Sequence, residues 1–297
     1  MSPRLAMPAL LRNWQPISCR TYSSGRVTLA FDLHQPAKGS SPEHAPIIFM
    51  HGLFGSKKNN RSMSKALARD LGRDVYAVDL RNHGDSPHNS RHDYMAMADD
   101  VAGFIKEHKL SKDLTLIGHS MGAKTAMTLA LQLPDLMKDI ISVDNAPWDV
   151  ALLSDFGKYV RAMKNIEQAG VTKQTEADAI LQEVEESTPV RLFLLTNLMR
   201  PKGETKQKFR VPLDTIGASL GHLGDFPFKD PEAVRFEKRA LFVRGTQSLY
   251  IPDEALPVIG KFFPRFELAD IDAGHWLIAE KPEEFRRVVV DFLQPAE

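Results

Sequence analysis

The sequence has almost no cysteine: the single one, Cys19, lies close to the N-terminus. Once the leading segment is removed, as argued below, no thiol remains. That excludes disulfides, thiolate metal sites and a cysteine nucleophile. Net charge is equally lacking, since Lys and Arg together number 38 and Asp and Glu also number 38. Without an excess of either sign, no long-range field draws the chain to nucleic acid or to an anionic membrane surface. No apolar run reaches the roughly 18 residues that a bilayer span needs. There is no internal repeat, and the only biased tract is a short Pro/Ser-containing linker between Gln35 and Pro46. What remains is a chain of 297 residues, 43% apolar and 26% charged. This is the balance of a globular protein with one large domain or two ordinary ones.

Acidic residues are missing from the first 31 positions; Asp32 is the first. The same stretch carries Arg4, Arg12, Arg20 and Arg26 among Ser and Thr, the composition of a mitochondrial presequence. Leu5, Leu10, Leu11 and Trp14 supply an apolar helix face, which Pro3, Pro8 and Pro16 limit. Arg20-Thr21-Tyr22-Ser23 resembles a matrix-protease site. The expectation is a presequence over residues 1–22, a folded domain over 23–297 and a location in the mitochondrion, in its matrix.

Beyond it, short apolar runs alternate with helical patterns. Arg26–His34 alternates like an edge strand. Ile47–Met50, Val75–Asp79, Leu114–Ile117, Ile140–Val143, Ala240–Val243 and Phe266–Ile271 read as strands buried on both faces. Asn60–Leu71, Tyr94–Lys109 and Ser120–Leu133 have apolar residues at helical spacing. This rhythm predicts an α/β fold: a mostly parallel central sheet with helices on both faces. It breaks over residues 148–235, a helical insert expected to lie as a lid over the C-terminal edge of the sheet, where such sheets bind ligands. Leu152, Phe156, Tyr159, Val160, Met163 and Ile166 form its first stripe, which Gly170 ends. Thr175 and Asp178 predict a capping box for a second helix, and Thr188-Pro189 the start of a third. No buried strand is expected there.

Gly118-His119-Ser120-Met121-Gly122 joins the strand ending at Ile117 to a helix, the strand–turn–helix setting of a nucleophile elbow. Ser120 is the candidate nucleophile. Gly217-Ala218-Ser219-Leu220-Gly221 matches the same five-residue pattern, but the preceding Val211–Ile216 is broken by Pro212, and Gly224 and Pro227 cut short any helix after it. Ser219 is therefore a chance match. A serine hydroxyl needs a base. Of ten histidines, His275 stands after the last strand and before the final helix, in Asp272-Ala273-Gly274-His275-Trp276. His119 is expected to point away as a structural residue, and His83, His88 and His92 to lie in a solvated loop. His51-Gly52-Leu53-Phe54-Gly55 follows a strand end and is the candidate oxyanion loop, with Leu53 and Met121 as amide donors and Phe54 as the alternative to Leu53. Two carboxylates compete as orienting acid. Asp144 follows the strand Ile140–Val143 directly, whereas Asp253, after Pro252, reads as a helix cap.

The chain resembles the branch of α/β-hydrolases that includes animal α/β-hydrolase domain-containing protein eleven and the fungal mitochondrial ethanol acetyltransferases. The resemblance rests on residues 51–57, Arg81-Asn82-His83-Gly84-Asp85-Ser86-Pro87, Gly118–Met127, Val143-Asp144-Asn145-Ala146-Pro147 and Gly274-His275-Trp276. Ala123 departs from it, standing where a third small residue, usually Gly, is expected. The resemblance implies the α/β-hydrolase fold with a lid insert. It also implies attack on short acyl esters or thioesters through an acyl-enzyme, with transfer from acyl-CoA to a small alcohol as an extension. In most members the acid follows the strand at Ala240–Val243, yet the loop Arg244–Tyr250 has no carboxylate; this branch carries it after the earlier strand, which favours Asp144. Asp79, Arg81, Asn82, His83 and Asp85 are expected to buttress the elbow, and Trp148 and Trp276 to pack a core or wall an acyl pocket. No metal or organic cofactor is implied, and CoA would enter only as substrate. Ser120 argues against haloalkane or epoxide chemistry, which needs a carboxylate at the elbow. The alternative from another class is a catalytically silent scaffold.

Overall fold

A computed structural model describes residues 25–37, 45–110, 113–149 and 155–294. The expected presequence, most of the linker, and Leu152 lie outside the described residues. The strands are β1 (Phe31–His34), β2 (Ile47–Met50), β3 (Val75–Val78), β4 (Leu114–His119), β5 (Met137–Val143), β6 (Leu198–Met199), β7 (Lys208–Phe209), β8 (Arg239–Gly245) and β9 (Phe266–Ile271). The α-helices are α1 (Arg61–Leu71), α2 (Tyr94–Glu107), α3 (Met121–Gln132), α4 (Asp155–Ala169), α5 (Gln174–Gln182), α6 (Thr188–Leu195), α7 (Leu213–Gly224), α8 (Leu256–Phe262), α9 (Leu277–Glu280) and α10 (Pro282–Leu293).

Seven strands form one sheet in the order β1-β3-β2-β4-β5-β8-β9, parallel except for β1. The apolar runs are explained by burial on both faces. Ile48 and Met50 of β2 point into a core shared with α2 and α3, while Ile47 and Phe49 point into a second core closed by α1 and α10. Leu116, Ile140 and Phe242 repeat the first side, Ile117, Ile141 and Val243 the second. Each fully buried aliphatic or Phe side chain stabilises the fold by about 1.5–3 kcal/mol, so one polar substitution in these strands outweighs any local propensity. Winding reverses between β2 and β4, so the loops after these strands flank a topological switch point, where ligands enter doubly wound sheets.

Between β5 and β8 the chain leaves the sheet for α4–α7 and the two-residue pair β6–β7. This insert rests on the C-terminal edge. Tyr94 Oη donates to Leu223 O at 2.7 Å, Asn197 Nδ2 to Phe54 O at 2.7 Å, and Arg210 pairs with Asp85 at 2.6 Å. Lys124, in the first turns of α3 and only 1% exposed, donates to Trp148 O, Gly224 O and Asp225 O, each at 3.0 Å. Both ends of the insert thus meet at one ammonium.

Several local expectations change. The stretch before β1 is not a strand: Val27 N donates to Asp100 Oδ1 and Ala30 N to Ser86 Oγ, so side chains take these two amides, while Ala30 O is met by backbone, from Asp79 N. Helix α5 begins two residues earlier than the Thr175/Asp178 box predicts, because Glu176 Oε2 accepts from Thr172 N and Lys173 N. The insert does contain a strand pair, with Phe209 buried. The second Gly-x-Ser-x-Gly lies wholly inside α7, a helix that runs through it, and Ser219 Oγ donates back to Thr215 O at 2.8 Å.

Candidate active site

Ser120 joins β4 to α3 with φ 54° and ψ −112°. For a residue with a Cβ this is a strained bend costing about 1–3 kcal/mol, and it is held by its surroundings. Ser120 N donates to Val143 O at 2.9 Å, and Asn145 Nδ2 donates to Ser120 O at 3.2 Å. The flanking glycines are steric necessities. A Cβ at Gly118 would lie 2.1 Å from Gly122 O, and one at Gly122 would lie 2.7 Å from Met50 O.

The structure brings three of the expected residues into hydrogen-bond order. His275 Nε2 lies 3.0 Å from Ser120 Oγ, and His275 Nδ1 lies 2.6 Å from Asp144 Oδ2. Asp144 is fully buried and, like Ser120, in the left-handed region, with φ 51°. Its carboxylate also accepts from Gly245 N at 3.1 Å and from the Ser248 hydroxyl. Three donors thus converge on this buried carboxylate and satisfy its oxygens. The loop after β8, which lacks an acid, thus supplies donors to one, and its Tyr250 stacks on the His275 ring at 4.1 Å. The sequence reading missed Ser248 and Tyr250; a hydroxyl where a carboxylate was expected was the available signal. Asp253 takes no part in this hydrogen-bond series. It is exposed and pairs with Arg244 at 2.6 Å.

The candidate oxyanion loop is locked by histidines. His51 accepts from Leu80 N at 3.0 Å through Nε2 and donates to Gly52 O at 2.8 Å through Nδ1. His83 accepts from Phe54 N at 3.1 Å through Nε2 and donates to Arg81 O at 2.9 Å through Nδ1. Phe54, with φ 62°, therefore spends its N–H on His83. This removes Phe54 from the two candidates and leaves Leu53. Met121 opens α3, so its N–H has no partner within the helix. The expected solvated loop is corrected: His83 and His92 are 1% and 2% exposed, and only His88 is at the surface. Its neighbours support the oxyanion loop more than the elbow. Asp79 accepts from Lys57 N and Lys57 Nζ, both at 2.6 Å, while Arg81 forks onto Asp100 of α2. His119 does not point away: its Nε2–H donates to His275 O at 2.8 Å and its ring packs on that of His275 at 4.9 Å. Among the described residues no cluster of three or more His, Cys, Asp or Glu could hold a metal. Among these residues, too, no helix is long and apolar enough to cross a membrane.

Burial pushes His83 well below the ordinary imidazole range, and pushes His92 and His119 down to about 4. Unfolded, each regains a value near 6.5. Between pH 6.5 and about 4 the unfolded chain therefore binds more protons than the native one, and stability falls as pH falls. The urea midpoint is expected to be level between about pH 6.5 and 7.5 and to drop steadily below that range; a level midpoint down to pH 4.5 contradicts the neutral burial of these rings.

A serine lifted on a strained bend at the end of a central parallel strand, with a histidine and a buried carboxylate in line behind it, defines a hydrolase of the α/β type. The chain belongs to that family, whose model, the alpha/beta hydrolase fold, matches residues 45–282. It is 45% identical to a probable alcohol acetyltransferase of Saccharomyces cerevisiae over 84% of this chain and 77% of that one. It is 40% identical to the sn-1-specific diacylglycerol lipase ABHD11 of Xenopus tropicalis, over 93% and 85% of the two chains. Among solved structures, a marine microorganism esterase superposes with a TM-score of 0.82 at 32% identity, covering 90% of this chain and 100% of that one.

Proposed function

We propose that the protein is a serine hydrolase that transfers acyl groups from esters or thioesters through an acyl-Ser120 intermediate. The observation that carries this reading is the continuous hydrogen-bond series Ser120 Oγ–His275–Asp144, at 3.0 and 2.6 Å, on the ligand edge of the sheet. His275 Nε2 takes the Ser120 proton as Oγ attacks the acyl carbon. Asp144 holds the Nδ1–H tautomer and stabilises the imidazolium. The amides of Leu53 and Met121 receive the oxyanion, a contribution of about 3–4 kcal/mol per donor. His275 then protonates the departing alcohol or thiol, and the cycle reverses with water or a second alcohol as acceptor. A silent scaffold has no need of a strained serine aligned with a histidine and a buried carboxylate.

Relatives named as an alcohol acetyltransferase and as a diacylglycerol lipase support both acceptors. Incubation with acetyl-CoA and ethanol, followed by quantifying ethyl acetate against free acetate, measures the partition. Both products are expected; the absence of both, together with no hydrolysis of a short ester, contradicts the enzymatic reading. The basic, acid-free N-terminus further supports import into mitochondria. A reporter carrying residues 1–22 is expected to co-purify with mitochondria and to be shortened, and a diffuse, uncut reporter refutes this.

A further inference from the structure

The turn that carries Leu53 is held at three successive peptide planes. Gly55 N donates to Gly52 O at 2.9 Å, which closes Gly52–Gly55 into a tight turn. Its third residue, Phe54, has φ 62°, a place that ordinarily falls to Gly. A side chain there is strained, and the conformation persists only where the surroundings over-determine it. His51 Nδ1 donates to Gly52 O at 2.8 Å and so fixes the Gly52-Leu53 plane. The peptide is trans, so the Leu53 N–H points opposite to that carbonyl. His83 Nε2 accepts from Phe54 N at 3.1 Å and fixes the Leu53-Phe54 plane. The third plane, Phe54-Gly55, is held from the insert: Asn197 Nδ2 donates to Phe54 O at 2.7 Å.

Asn197 is buried between α6 and β6, 143 residues along the chain from Phe54, and its own place is fixed. The same amide nitrogen donates to Leu194 O at 3.3 Å. Arg210 N donates to Asn197 O at 2.8 Å and closes the β6–β7 hairpin at its base. Arg210 then pairs with Asp85, whose other oxygen meets Lys57 Nζ two residues past the turn, each at 2.6 Å. The base of the hairpin is thus set down on the candidate oxyanion loop. Phe54 also packs its ring on Phe156 of α4, with centroids 6.2 Å apart. The tie from Tyr94 Oη to Leu223 O, by contrast, meets no residue of the turn.

We infer that Asn197 is a positioning residue for the reaction: through the Phe54 carbonyl it keeps the strained turn in place, and with it the Leu53 N–H. The inference rests on the acyl transfer at Ser120 and the Leu53 donor proposed above. Without the amide, Phe54 relaxes from positive φ and the turn shifts, so the Leu53 N–H no longer meets the oxygen on which charge develops. The insert then does more than cover the site, because one of its side chains completes the oxyanion hole. A donor misplaced in this way acts on the transition state and not on bound ester, so the loss falls on kcat and spares KM.

Hydrolysis of p-nitrophenyl acetate and inhibition by ethyl trifluoromethyl ketone test it. Ser120 Oγ adds to the ketone carbon, His275 Nε2 takes the hydroxyl proton, and the carbonyl π pair moves to oxygen, so the adduct carries a full oxyanion. Asn197→Leu and the one-bond-shorter Asn197→Ser are both expected to lower kcat about 10- to 100-fold, less than the roughly 10²–10³ of losing a donor outright. KM stays within about threefold, and the inhibition constant of the ketone rises by the factor by which kcat falls. Tyr94→Phe, which cuts a tie of the insert away from the turn, leaves all three unchanged. Circular dichroism melting identifies the folded variants. An unchanged kcat in a folded Asn197 variant, a loss carried by KM, a loss that spares ketone inhibition, or an equal loss in Tyr94→Phe overturns the inference. Fluorophosphonate labelling of the wild-type protein distinguishes the two levels. A labelled, ester-cleaving protein indifferent to Asn197 sinks only the positioning role, whereas an unlabelled, inactive one sinks acyl transfer itself.

Discussion

Ser120→Ala is expected to lower turnover of a short p-nitrophenyl ester by about 10⁶-fold, the loss found when the serine of such a unit is removed. The fold should be retained, because Ala has the Cβ the bend already accommodates and the only partner lost by Oγ is His275 Nε2 at 3.0 Å. Residual activity over water is expected from the proposed oxyanion donors, the amides of Leu53 and Met121, and from substrate binding. Fluorophosphonate labelling gives the second readout. A single adduct on the wild-type protein disappears in the variant. An adduct that persists, whether at Ser219 or elsewhere, contradicts the assignment of the nucleophile. Ser219 offers no refuge on physical grounds: its hydroxyl donates to Thr215 O inside α7.

Asp144→Asn should cost about 10⁴-fold in kcat, while Asp253→Asn stays within about twofold. The loss follows from the tautomer. A carboxylate accepts from His275 Nδ1–H and leaves Nε2 bare toward Ser120, so the ring can act as a base. An amide turned to offer its NH₂ to Nδ1 requires the proton on Nε2 instead, and the ring then faces the serine as a donor. The Gly245 N–H and the Ser248 hydroxyl, which converge on the carboxylate, lose part of their acceptor as well. Stopped-flow or steady-state turnover on both variants separates the carboxylates. A large loss in Asp253→Asn with little change in Asp144→Asn would reverse the assignment.

The buried strands were readable because a sheet covered on both faces needs uninterrupted apolar runs, and β2, β4, β5 and β8 have them. The bend at Ser120 was readable for a related reason: its two glycines leave no alternative to a close approach, and β4 and α3 flank it. Ser219 carries the same letters without that setting. What sequence did not reveal depends on partners far along the chain. The segment from Arg81 to His92 looks hydrated, yet Arg81 is neutralised by Asp100, and His83 is satisfied by Phe54 N and Arg81 O. Ser248 meets Asp144 across more than 100 residues. The capping box failed differently. Thr175 and Asp178 fit the pattern, but Glu176 reaches the free amides one turn earlier, and local competition of this kind is decided by geometry. The solitary lysine in the apolar helix α3 was a visible anomaly whose meaning needed the insert in place.

That lysine has a further consequence. Because Lys124 gathers Trp148 O, Gly224 O and Asp225 O at one point, most of the excursion from the sheet is a loop closed at its neck. Changes of length, composition or helix number within the loop need not be transmitted to β5 or β8, since the neck absorbs them. The sheet with its serine, histidine and carboxylate can therefore stay fixed while the covering segment diverges. In such an architecture, specificity can be exchanged as a cassette, and the neck lysine marks where the cassette begins and ends.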